Sequence, residues 1–248
     1  MKSLILLLIF FLACNSYSTG QNADSIIEKY FTAIGGYEKI ISVQTFVSKG
    51  KQVFDGTVSS VTTIIDEGKL WRQDTKINGK KEFYLITQKG AWQYSNHLLK
   101  KLDDSLSSKE KSVYFLESAL YEYGKPGFNA TFIGNDTADG KACYKIRAWE
   151  NLNESLLCWF DTATNLLIKT SVKTSIGVWQ KDGSIKDVPV FKNTIYRDYK
   201  NTDGLLYAFT YLNKGISLET GSIVRTINFY ASQIKINRPV NERYYKPE

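Results

Sequence analysis

One histidine, one methionine, three cysteines and four prolines are all that this 248-residue chain holds of those types. Each scarcity excludes something. His97 sits in the polar run Ser95-Asn96-His97 and reads as an ordinary turn residue, and no G-x-S-x-G elbow accompanies it, so no Ser-His-Asp triad can be assembled. Zinc needs three or four His, Cys or carboxylate ligands at suitable spacing, and the chain has neither HExxH nor CxxC. We therefore expect no catalytic set, no metal and no cofactor. Few prolines and 17 glycines exclude collagen-like or linker-type composition. Beyond the N-terminus no apolar stretch approaches the 18 or so residues of a membrane-spanning helix. Gly134–Lys141 (GNDTADGK) has the wrong glycine spacing for a phosphate loop, and Ala142 stands where a Ser or Thr is needed, so it reads as a tight polar turn. The acids Asp66-Glu67, Asp103-Asp104 and Asp161 have no spacing that pairs two of them across a cleft.

What the chain does have is apolar and aromatic. Hydrophobic residues make up 43% and aromatics 14%, enough for a sizeable core and biased toward strands. The net charge is +7, but the lysines are scattered and often alternate with apolar residues. That pattern describes a solvated basic outer face, with attraction to a membrane surface as the second reading; no basic cluster or motif points to nucleic acid.

The first 20 residues read as an export signal. Lys2 supplies the positive start, and Leu4–Ala13 is an apolar run of ten residues, too short to span a membrane. Two processing routes fit. Small residues at Ser18-Thr19-Gly20 suit a signal peptidase, while Cys14 directly after Ala13 suits lipidation, although Leu12 and Phe11 depart from the usual lipobox. Residues 21–248 would then form a single domain, in the periplasm or, if Cys14 is acylated, anchored at the outer membrane. Cys143 and Cys158 fall on two strands of one hairpin. With a two-residue loop at Glu150-Asn151 they stand opposite each other; directly paired cross-strand disulfides are strained, so two small buried thiols are the first reading, and a disulfide, which an oxidising compartment permits, is the alternative.

Two helices stand out. The first begins at Asp24 or Ser25 with a capping box, Ser25-x-x-Glu28, and carries Ile26, Ile27, Tyr30, Phe31 and Ile34 at helical spacing before Gly35-Gly36. The second spans 107–123, with Val113, Leu116, Leu120 and Tyr123 as its stripe and Gly124 and Pro126 as its stop. The rest reads as strands at 43–54, 57–66, 69–77, 81–88, 91–95, 128–134, 141–149, 155–161, 165–175, 189–199, 205–213 and 222–236. Asp55-Gly56, Asn78-Gly79, Asp182-Gly183 and Asp203-Gly204 punctuate them as hairpin turns. The fold class expected is mainly β: a strongly curved antiparallel sheet, or incomplete barrel, wrapped on two helices.

Any one of the aromatics along the strands reads as core filling, yet together they exceed what two short helices cover. A lined cavity for an apolar ligand follows, with Phe46, Phe54, Trp71, Phe83, Trp92 and Trp159 as lining candidates.

The run Asp24-Ser-Ile-Ile-Glu-Lys-Tyr-Phe-Thr-Ala-Ile-Gly-Gly36 before a long strand, and Gly140-Lys-Ala-Cys-Tyr-Lys-Ile146 followed by Trp159-Phe-Asp-Thr-Ala-Thr-Asn-Leu-Leu-Ile-Lys169, resemble the LolA/LolB-like outer-membrane lipoprotein-sorting superfamily. The ending Asn237-Arg-Pro-Val-Asn-Glu-Arg-Tyr-Tyr-Lys-Pro247 fits too. The resemblance implies an incomplete β-barrel whose cavity takes acyl chains, and it places Arg72 on an arginine-bearing early strand, which adds Arg72 to the cavity candidates as the seventh. It implies a monomeric, non-enzymatic carrier of lipid or lipoprotein acyl chains in the bacterial envelope. The other readings are a lipid-anchored interaction protein with a self-filled core and an enzyme working through carboxylates alone.

Overall fold

The computed structural model describes residues 22–102, 120, 123–150, 154–179 and 185–247. Helix α1 (Ala23–Ile34) starts one or two residues before the expected point, because Asn22 rather than Ser25 is the cap: Asn22 Oδ1 accepts from the Ser25 amide at 2.7 Å. Ile26, Ile27, Phe31 and Ile34 form its buried face. Gly35 ends it at φ 113°, and a Cβ there would meet the Gly204 carbonyl oxygen at 2.4 Å, so both conformation and space require glycine. A short helix α2 (Tyr37–Ile41) follows. The expected helix over 107–123 lies outside the described residues except Leu120, which is buried in the core, and Tyr123, whose carbonyl accepts from the Tyr37 hydroxyl.

The strands are β1 (Thr45–Phe54), β2 (Thr57–Asp66), β3 (Leu70–Ile77), β4 (Lys80–Thr87), β5 (Gly90–Ser95), β6 (Leu98–Lys101), β7 (Phe128–Ala138), β8 (Lys141–Glu150), β9 (Glu154–Asp161), β10 (Leu167–Trp179), β11 (Ile185–Arg197), β12 (Lys200–Thr202), β13 (Leu205–Tyr207), β14 (Thr210–Ser217) and β15 (Ile223–Ile236). Thirteen of them form one antiparallel sheet in the order β6-β5-β4-β3-β2-β1-β15-β14-β11-β10-β9-β8-β7, open between β6 and β7. Two meanders are thus joined by the last strand lying beside the first, Phe46 opposite Ile236. The fold class expected from the sequence is the one observed.

The turns explain why the meanders form. Asp55-Gly56, Asn78-Gly79, Asp139-Gly140 and Asp203-Gly204 all have positive φ at both central residues, the geometry that matches strand twist. So does Asn96-His97, which makes β6 a strand that the expectation omitted. The phosphate-like run resolves into the end of β7 and the Asp139-Gly140 turn. The single strand expected over 205–213 is two. The chain breaks at buried Ala208 and Phe209, and β13 turns away to pair with β12 in a separate ribbon.

Both faces of the sheet are covered. On the concave face α1 packs into the main core with Phe46, Ile65, Ile146, Phe160, Ile234 and Ile236. On the convex face of β1 to β5, Ile64, Leu70 and Leu85 are covered by Val240, Tyr244 and Tyr245 of the C-terminal segment. That segment lies across the sheet as a strap, ending in a 3-10 turn over Glu242–Tyr245. It is tied down at both ends. Thr45 Oγ1 donates to the Arg238 carbonyl at 2.8 Å, Arg72 Nη1 donates to the Lys246 carbonyl at 2.9 Å, and the Tyr245 hydroxyl donates to Asp66.

Candidate functional site

Side chains alternate across a strand, so cross-strand register decides which candidates share a face. Phe46 pairs with Ile65, Ile65 with Trp71 and Trp71 with Ile86; all four point to the concave side with α1 or its rim. Phe54 has the same parity on β1 but stands at the strand end, 40% exposed, beneath the Arg225 guanidinium. Of the expected lining, then, Phe46, Trp71 and Phe54 lie on the concave face.

The other four do not. Arg72 pairs with Ile64 and Leu85 on the convex face. It is buried there, bonded to Asp74 at 2.6 Å and to two strap carbonyls, with its guanidinium 4.2 Å from the Phe83 ring. Phe83 and Trp92 pack with it under the strap. Trp159 lies on the convex face of the second meander, between Lys145 and Lys169 at 4.9 and 4.4 Å, its indole N–H donating to Asp136. This corrects the expectation that the seven line one cavity. Alternation broke it: with both faces partly buried, an aromatic at either parity has an apolar partner. Arg72 is a structural clamp for the strap, not a concave-face residue.

The cysteine hairpin is corrected by the same geometry. β8 and β9 pair Glu150 with Glu154, so the loop has three residues rather than two, and Cys143 stands opposite Asp161 while Cys158 stands opposite Ile146. The odd offset puts the sulfurs on opposite faces. Both are free, buried thiols, Cys158 in the main core and Cys143 beside Trp159. Burial pushes both thiols above their ordinary range, which keeps them protonated and unreactive. Cys14 lies outside the described residues.

The concave face is largely apolar, with Thr170 bonded to Tyr196 and Thr194 bonded to Asn213 set among its rings. From β8 to β15 its rings succeed one another: Tyr144, Phe160, Tyr196, Tyr211 and Phe229, with Tyr196–Tyr211 at 5.7 Å and Tyr211–Phe229 at 6.1 Å. Tyr211, Phe229, Val172 and Trp71 are only half-buried. Into this lining project two hydroxyls that reasoning from sequence did not nominate. Ser48 follows Phe46 on the same face of β1, and Tyr207 of β13 lies against Phe46 with ring centroids 5.6 Å apart. Ser48 is 4% and Tyr207 5% exposed, and neither Ser48 Oγ nor Tyr207 Oη has a hydrogen-bond partner among the described residues. Burial raises the Tyr207 pKa, so the phenol stays protonated and able to donate. The signal for Ser48 was in the sequence: a small polar residue at an inward position of Phe46-x-Ser48-x-Gly50. Tyr207 had none, because Leu205-Leu206-Tyr207-Ala208-Phe209 does not alternate.

Chemically this is a mainly apolar surface in which Ser48 and Tyr207 carry hydroxyls with no partner among the described residues. Among the described residues no group of three or more His, Cys, Asp or Glu is placed to hold a metal ion. No described helix is long and apolar enough to cross a membrane.

No family model matches the chain, and no curated protein matches it. Solved structures do. A domain described as an outer membrane lipoprotein-sorting protein from Vibrio parahaemolyticus matches with a TM-score of 0.50 at 13% identity, over 89% of this chain and 94% of that one. The chain shares the fold of that domain. A DUF1329 family protein from Desulfovibrio piger shares the same fold at a TM-score of 0.51 and 13% identity, over 88% of this chain and 95% of its own. A LolA superfamily protein from Nitrosomonas europaea covers 92% of the chain at 11% identity and a TM-score of 0.49. The shared fold is an open antiparallel sheet with α1 against its concave side, the architecture that the resemblance in sequence implied.

Proposed function

We propose that the protein is a non-enzymatic binder and carrier of lipid or lipoprotein acyl chains in the bacterial envelope, taking the chain between α1 and the concave face. The observation that supports this most directly is the pair of buried, unpartnered hydroxyls, Ser48 Oγ and Tyr207 Oη, set in an otherwise apolar lining. An orphaned buried hydroxyl costs about 1–3 kcal/mol, and native proteins keep few of them. An acyl group attached by an ester or amide satisfies both needs at once. Its carbonyl accepts from a hydroxyl, and each methylene withdrawn from water contributes about 0.8 kcal/mol. The export signal read at residues 1–20 and the lipoprotein-sorting fold support the same reading.

Native mass spectrometry tests it, on protein from Gln21 onward purified from a bacterial periplasm without detergent, followed by solvent extraction. We expect a stoichiometric added mass that extracts as phospholipid, fatty acid or acylated peptide. A clean apo mass with no uptake of added lipid sinks the carrier reading and leaves a self-filled core on an anchored interaction protein. The depth at which Phe46 and Ile65 are already packed against α1 favours that second reading.

A further inference from the structure

The convex face has a cleft of its own, of about 900 Å³, where the strap crosses β1, β2 and β15. Its floor is Val47, Ile64 and Thr62, outward-facing residues of neighbouring strands, and Val240 adds apolar surface from the strap. Four cations line it, Lys49, Lys235, Arg238 and Arg243, against one carboxylate, Asp203. Arg238 and Asp203 satisfy each other at 3.4 Å. Lys49 and Lys235 are diagonal neighbours on adjacent strands, since Lys235 pairs with Val47 and Lys49 with Gln233. That geometry separates their Cβ atoms by roughly 7–8 Å. No carboxylate stands between them; Thr62 flanks Lys49 on the other side. The guanidinium of Arg243 is fixed over the cleft, 4.8 Å from the Tyr244 ring and donating to the Tyr244 hydroxyl at 2.9 Å. The nearest acid on its other side, Asp74, is engaged by Arg72.

Two lysines held at this spacing repel unless an anion sits between them. The three cations with no carboxylate partner among the described residues line a depression whose floor is apolar. That combination fits an anion with an apolar neighbour, which a simple inorganic ion lacks. We propose that this cleft binds the phosphate of an anionic phospholipid head group presented by a membrane surface, on the face opposite the acyl-binding lining. The chain's net charge of +7 draws it toward such a surface, and the cleft gives that attraction a place.

The test is flotation of the protein from Gln21 onward with phosphatidylcholine vesicles, with and without phosphatidylglycerol. Binding should require phosphatidylglycerol. A basic residue near an anionic surface is worth about fivefold in partition, so Lys49→Gln with Lys235→Gln should weaken binding by roughly 25-fold. The matched pair Lys29→Gln with Lys192→Gln, exposed on α1 and on the concave-face side of β11, removes the same charge away from the convex face and should change it less than about twofold. Equal losses from the two pairs would overturn the site in favour of diffuse charge, and binding indifferent to phosphatidylglycerol would overturn it outright. Displacement by millimolar inorganic phosphate at constant ionic strength would assign the cleft to a free anion and overturn the membrane assignment. The carrier reading is judged separately, because the added lipid mass in the Lys49→Gln, Lys235→Gln protein should match wild type whichever way the vesicles report.

Discussion

Tyr207→Phe removes one oxygen atom and leaves the ring against Phe46 in place. In an ordinary core tyrosine that change breaks a hydrogen bond and destabilises. Here the oxygen is buried with no partner among the described residues, so its desolvation is uncompensated in the ligand-free protein. Deleting it should return part of that penalty, about 1–3 kcal/mol. For a chain of this size each 1 kcal/mol moves Tm by about 2–4 °C, so the delipidated variant should melt roughly 2–10 °C higher than wild type. The lipid-loaded proteins should show the reverse. Wild type gains a hydroxyl-to-carbonyl hydrogen bond on loading and the variant does not, so the variant's rise in Tm on loading should be the smaller. The assay is differential scanning calorimetry on delipidated protein and on the same protein with one equivalent of fatty amide. A delipidated Tyr207→Phe protein less stable than wild type by more than about 1 kcal/mol would refute the reasoning, since the hydroxyl must then already have a partner.

Three further outcomes follow from the same geometry. Arg72→Ala should destabilise by about 2–4 kcal/mol, because it frees two strap carbonyls and leaves Asp74 without its partner, and limited proteolysis should then cut within residues 238–247 first. Thiol titration should find Cys143 and Cys158 unreactive until denaturant is added, with unfolding midpoints the same with and without reductant; a reductant-sensitive midpoint would mean the register is wrong. Asp136 is held well below the usual carboxylate range by Trp159 Nε1 and Lys145, and Asp139 is lowered by Arg197. Their folded pKa values are depressed, so their stabilisation is complete above the unfolded value of about 4 and is lost as pH falls through the lower folded values. Asp136→Asn should flatten the acid limb of a urea-midpoint profile below about pH 4 and leave it unchanged near neutrality.

The parts of the fold that short-range chemistry controls were legible in the sequence. Asp55-Gly56, Asn78-Gly79 and Asp203-Gly204 marked three of the hairpins because only residues that tolerate positive φ can turn two strands tightly, while Asp182-Gly183 lies outside the described residues; Ile26 to Ile34 marked α1 by their period. The misses share a cause. A single residue of loop length decides facing, so a three-residue loop in place of two put Cys143 and Cys158 on opposite faces. Ser95-Asn96-His97 read as a turn, but without the glycine that marks the other tight turns it did not announce the short strand β6 that follows. The break at Ala208-Phe209 has no glycine or proline to announce it; it is set by packing of β13 against the end of α1, where Gly35 and Gly204 meet.

The candidate site was harder to read for a reason specific to this sheet. In a sheet with one wet face, an aromatic residue identifies the core face by itself. Here the strap gives β1 to β5 a second apolar face, so Trp71 and Trp92 look alike in sequence yet lie on opposite sides of it. The informative residues were therefore the exceptions to the aromatic pattern. A serine at an inward position, Ser48, marks the concave face as more than filler. An arginine buried among aromatics, Arg72, marks the convex face as covered, since a guanidinium 6% exposed must have its donors met and the strap carbonyls meet them. Because Arg72 and Tyr245 hold the strap at its end and Thr45 holds it at its start, the basic cleft between them depends on Arg72 for part of its shape. Arg72→Ala should thus weaken binding to anionic vesicles as well as stability, although Arg72 itself does not line the cleft. Lys49→Gln with Lys235→Gln should weaken binding alone. An Arg72→Ala protein that melts early yet binds phosphatidylglycerol vesicles like wild type would separate the strap from the cleft and remove the convex-face site from the picture.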